Sequence, residues 1–109
     1  MKRTLMMTLC IAVAITVQAG KTMSASIQAE IKKAAEIEYP NDFSMQAYEI
    51  KSQTEAFEKF HSMEKPSSMS NSTFELIKSR AERQYPKDYS MQFYELKSQI
   101  SGWLKVNGN

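Results

Sequence analysis

The chain has 109 residues, with 14 Lys and Arg against 12 Asp and Glu, one histidine, one cysteine and three glycines. That length suits one small domain of modest stability. One histidine excludes multi-histidine zinc sites, three glycines leave no phosphate-cradling loop, and no Gly-x-Ser-x-Gly elbow is present, so the residues point to a protein that is not an enzyme and carries no cofactor.

Residues 1–19 read as a cleaved signal peptide. Lys2 and Arg3 precede a thirteen-residue apolar run from Leu5 to Val17, and Val17-Gln18-Ala19 places small residues at −3 and −1 before Gly20. A membrane span needs about 20 apolar residues, so the run is short for one. An uncleaved anchor, making a membrane accessory protein, is the alternative. Met7-Thr8-Leu9 lacks the small residue that lipidation of Cys10 requires, and Cys10 leaves with the signal. The mature chain, 20–109, then holds no cysteine and no disulfide. Loss of Lys2 and Arg3 leaves it with 12 basic and 12 acidic residues, with no basic patch for nucleic acid. The expected location is periplasmic or secreted.

The rest of the chain repeats itself. A shift of 46 positions superimposes YPNDFSMQAYEIKSQ (Tyr39 to Gln53) on YPKDYSMQFYELKSQ (Tyr85 to Gln99), and 15 of the 23 positions from Ile31 to Gln53 are identical. This implies an internal duplication: hairpin 1 over 20–61, a connector over 62–71 and hairpin 2 over 72–109, all-α with four helices. In the first helix of each unit, Ile27, Ile31, Ala34 or Ala35, and Glu38 or Tyr39, then Phe74, Ile77, Ala81 and Tyr85, recur at helical spacing. Ser26 and Ser72 are the expected caps, the latter in a Ser72-Thr73-Phe74-Glu75 capping box. Tyr-Pro ends the helix, and Asp42 and Asp88 are placed to cap the next. The second helices carry the stripes Phe43, Ala47, Ile50, Thr54, Phe57 and Tyr89, Phe93, Leu96, Ile100, Trp103, expected to form the core as a four-helix bundle or a more open pair.

The motif Tyr-Pro-x-Asp-Phe/Tyr-Ser-Met-Gln-x-Tyr resembles a short helical motif of uncharacterised bacterial proteins, in which Trp or Tyr precedes the proline. The resemblance covers little beyond Tyr39 to Gln53 and its copy, and it implies no activity, ligand or catalytic residue.

All five residue pairs of the apolar stripe differ between the copies, whereas identical residues lie on other faces. Met45, Tyr48 and Ser52, repeated as Met91, Tyr94 and Ser98, form a narrow stripe nearly opposite the seam, flanked by Glu49 and Glu95. Either the duplication is recent and only the core has drifted, or the first helix of each unit covers this stripe as core, or it is a duplicated surface for a protein partner, rich in the Tyr and Met that interfaces favour. A different class of function is soft-metal binding. His61, Met63 and Met69 lie close together in the chain, and imidazole and thioether suit Cu(I).

Overall fold

The computed structural model describes residues 23–108, and the signal-peptide segment lies outside them. The described residues form four helices and no strand: α1 (Ala25–Glu38), α2 (Phe43–Ser62), α3 (Asn71–Gln84) and α4 (Tyr89–Asn107). No helix among them is long and apolar enough to cross a membrane.

Each helix pair is joined by the same turn. Tyr39 caps α1 with its amide donated to Ala35 (2.9 Å), and Tyr85 caps α3 on Ala81 (3.0 Å). The Asp42 amide then donates to the Tyr39 carbonyl at 3.2 Å, and Asp88 to Tyr85 at the same distance. With proline second and a positive φ third (63° at Asn41, 64° at Lys87), these are type II turns. Asparagine tolerates that conformation, whereas lysine pays roughly 1 kcal/mol for it. Asp42 and Asp88 accept from the Met45 and Met91 amides at 3.2 Å, as the N-cap expectation had it.

A second latch uses glutamine. Gln46 Nε2 donates to the Tyr39 carbonyl at 2.8 Å, and Gln92 Nε2 to that of Tyr85 at 2.8 Å. Each glutamine thus ties the first turn of the second helix back over the proline. Gln92 is buried; Gln46 is partly open to solvent.

The first-helix caps differ from expectation. Ser24 and Ser70, not Ser26 and Ser72, accept from the Ile27 and Thr73 amides (3.2 and 3.1 Å). Ser26 and Ser72 lie within the helices, hydroxyl to hydroxyl with the true caps at 3.2 Å. An uncommitted serine two positions upstream captures the helix start, so each helix begins two residues earlier.

The helices lie in the order α1, α2, α4, α3. α2 packs on α1 and α4, α3 packs on α4, and no other pair of described helices approaches closely along its backbone. This is an open row rather than a closed bundle. The main core belongs to the second hairpin, yet Phe60 from α2 enters it, beside Met69, Phe74, Ile77, Ala81 and Leu96. Connector residue Met69 is buried there, and Lys65 Nζ ties the connector by donating to the Pro66 and Met69 carbonyls (3.0 and 2.6 Å). In the first hairpin Ile31, Ala35, Ala56 and Phe57 are buried.

The open row corrects the reading of the first stripe. Phe57 is core, and Ile50 and Thr54 are half-buried, but Ala47 is exposed and Phe43 is 72 % exposed. Phe43's counterpart Tyr89 meets the Phe57 ring edge-on, with centroids 5.2 Å apart. Phe43 has no helix beyond it to play that part, so a correct helical period does not bury it.

Replacing Gln92 with methionine keeps the volume and removes the donor. Gln92→Met is expected to cost about 1–2 kcal/mol, because the Tyr85 carbonyl keeps only the Asp88 amide and loses the shorter of its two bonds, made by a buried side chain. Gln46→Met costs less, since the Gln46 side chain is partly open to solvent where Gln92 is buried. Urea denaturation of the two variants measures the difference.

Candidate functional site

Residues Met45, Tyr48, Glu49 and Ser52 occupy the first two and a half turns of α2, and Met91, Tyr94, Glu95 and Ser98 those of α4. The Asp caps and glutamine latches fix both helix starts, so the two stripes are held in the same way. Neither first helix covers them. Tyr48 is 64 % exposed and Tyr94 60 % exposed. Around them Met45, Glu49, Ser52, Met91 and Glu95 are half-buried, and Ser98 is exposed.

The tyrosines therefore stand out from surfaces whose neighbours are partly anchored. Glu49 and Glu95 each accept from the glutamine four residues on, Gln53 Nε2 at 2.9 Å and Gln99 Nε2 at 2.8 Å. These bonds fix the carboxylates beside the tyrosine stripe. Tyr39 lies near the first stripe, and its phenol is held above the usual value by the charge of Glu38 first, then by desolvation, Glu49, Asp42 and Tyr48. The end of the first hairpin thus combines two tyrosines with three carboxylates. A face of this kind suits hydrogen bonding and aromatic contact with a polypeptide.

Two identities of the repeated phrase belong to folding instead. Gln46 and Gln92 are turn latches. Gln53 spans the two hairpins: its Oε1 accepts from the Tyr89 amide (2.7 Å) and the Ser90 amide (3.2 Å), and its Nε2 also approaches Asp88 Oδ1 (3.3 Å). Among the described residues its counterpart Gln99 bonds only Glu95, and it is exposed. Helical periodicity does not reveal such bonds, because they run from a side chain to a distant helix end. Tyr89, at that junction, has its phenol pushed above the usual value, by burial first and then by Glu30.

The soft-metal residues are placed otherwise than a loop site requires. The Met69 side chain is buried in the core with Phe60, and Met63 packs against the same cluster. His61 lies against the Phe57 and Phe60 rings, at 4.4 and 5.0 Å between centroids. The structure brings these three residues to one apolar cluster, with the Met69 thioether committed to it. Among the described residues no group of three His, Cys, Asp or Glu is placed to hold a metal ion.

Comparison with known proteins identifies no relative. No protein-family model, no curated protein and no solved structure matches the chain.

Because both tyrosines are more than half exposed, Tyr48→Ala and Tyr94→Ala are each expected to change stability by less than about 0.5 kcal/mol. Phe60→Ala, at a fully buried position, is expected to cost about 3–5 kcal/mol. Thermal unfolding of the three variants checks both values.

Proposed function

We propose that the chain is an exported, non-enzymatic helical-repeat protein, a protein-interaction or accessory module of a bacterial envelope, whose two hairpins arose by duplication of one unit. The observation that carries this reading is the exposure of Tyr48 and Tyr94. Both stand in closely similar local sequence, and neither serves the turn, the cap, the latch or the core. Folding accounts for Pro40, Asp42, Gln46 and their copies, and for Gln53; it leaves the tyrosines without a structural task. A partner surface supplies one, since tyrosine offers a large amphipathic contact at low cost in side-chain freedom.

Export rests on the residue pattern of 1–19, and the absence of cysteine from 20–109 suits a protein that folds without disulfides wherever it is delivered. A mature N-terminus at Gly20, read by mass spectrometry, supports cleavage; a retained Met1 supports the anchored alternative.

Binding is tested by affinity capture from the native envelope, with the wild type beside a Tyr48→Ala/Tyr94→Ala double variant. The expected result is loss of specifically captured protein by the double variant, with an unchanged thermal midpoint. Recovery of the same partners by both proteins contradicts the reading.

A further inference from the structure

Gln53 and Gln99 hold the same place in two nearly identical segments, but only Gln53 reaches the other hairpin. It accepts from the first two amides of α4, those of Tyr89 and Ser90. The equivalent amides of α2 belong to Phe43 and Ser44, and no side chain of the described residues accepts from them. The hairpins are therefore not joined by a two-fold axis, which would make both contacts or neither. They are joined head to tail: the outer face of one hairpin receives the helix start of the next. A junction of this kind is not self-complementary, and it leaves one unused half at each end of the molecule.

Both unused halves are open, and they match. At the second hairpin's end, Gln99 is exposed and Val106, the counterpart of buried Phe60, is 84 % exposed. A cleft of about 440 Å³ lined by Leu76, Gln99, Trp103 and Val106 marks this face. At the first hairpin's end, Phe43 projects where Tyr89 projects at the internal junction. Further along α2, between it and α1, lies a groove of about 540 Å³ lined by Gln28, Lys32 and Ile50. The counterparts of those three residues are Phe74, Lys78 and Leu96. Phe74 and Leu96 share the core cluster with Phe60, and Lys78 Nζ lies 5.6 Å from the Phe60 ring centroid. The groove that Phe60 fills in the second hairpin is thus empty in the first.

We propose that a second copy of this chain occupies these ends, and that the internal junction is repeated between molecules to build an open-ended array. Gln99 of one copy accepts from the Phe43 and Ser44 amides of the next, Trp103 takes the place of Phe57 against Phe43, and Val106 enters the groove beside Ile50. Two contacts are not reproduced: the exposed Glu30–Lys87 pair (3.8 Å) becomes Leu76 opposite Asn41, which exchanges a weak surface ion pair for cover over an exposed leucine, and the Lys78 ammonium over the Phe60 ring becomes Lys32 beside Val106, which has no ring. Inside the chain a short connector gives the two hairpins an effective concentration on the order of millimolar. Separate molecules lack that help, so the array assembles only at high concentration or on a crowded surface. Tyr48 stays exposed beside the internal junction, so Tyr94 stays exposed beside the intermolecular one. Each added hairpin then contributes one more outward tyrosine.

Sedimentation equilibrium of the purified protein, from about 10 μM to about 1 mM, tests the proposal in the concentration range that tethering replaces. The weight-average mass of the wild type is expected to rise past two copies without a plateau. Gln99→Arg removes the acceptor and aims a cation at the positive end of a helix. Phe43→Glu brings a carboxylate beside Glu95 of the second copy. Both positions are exposed, and each variant alone is expected to remain a single copy with an unchanged thermal midpoint. Val106→Glu is a second block of the same end as Gln99→Arg. Each blocked variant keeps one good end, so an equal mixture of Gln99→Arg with Phe43→Glu is expected to form pairs and stop there. The tyrosine double variant is expected to assemble as the wild type does, which keeps this proposal separable from the partner surface. A wild type that remains a single copy at 1 mM overturns the proposal. So does a wild type that stops at two copies, growth by either blocked variant alone, or a mixture that fails to pair.

Discussion

The arrangement of the four helices depends on one side chain, the Gln53 amide laid across the start of α4. The first amides of any helix lack partners within the helix. Gln53 satisfies two of those of α4 from a neighbouring helix, and its own Nε2 is held by Glu49 and Asp88. This fixes the point on α2 at which α4 begins. Phe60, two turns further along α2, supplies the burial that a polar contact does not: a fully buried phenylalanine contributes about 2–3 kcal/mol by removal of apolar surface from water. Together they set the two hairpins in a staggered row, and α1 and α3 stay apart.

Within each hairpin the constraint is the turn. Proline ends the first helix, the next residue takes a positive φ, aspartate caps the second helix, and glutamine reaches back to the tyrosine carbonyl. Four local demands are met at fixed spacing, three of them by the same residue type in both copies, which explains why this part of the phrase is written twice. The third position is the loosest: Asn41 suits it and Lys87 does not, yet Lys87 also faces Glu30 across the junction.

Local features of the fold were legible in the sequence. Helical spacing, Tyr-Pro and the two aspartates locate the four helices and their turns, because each acts over a few residues. The longer-range features were not. Phe43 has the right period and is exposed, since periodicity names a face but not whether another helix covers it. Met69 sits in a stretch without periodicity and is core. Ser24 and Ser70 cap where Ser26 and Ser72 were expected, although Met23-Ser24 also aligns with Met69-Ser70 at the same 46-residue shift. The tyrosine stripe was found as a pattern, and its exposure follows only from the open row. Gln53 and Gln99 mark the limit most clearly, being identical in residue and local context while differing in what lies beyond them.

That contrast gives the most direct measurement. The stabilities of Gln53→Ala and Gln99→Ala are compared by chemical denaturation under conditions where the protein is a single copy. The account predicts a loss of about 1–3 kcal/mol for Gln53→Ala, whose removal strips the bonds at the start of α4, and a change below about 0.5 kcal/mol for Gln99→Ala. Equal losses for the two variants would contradict it.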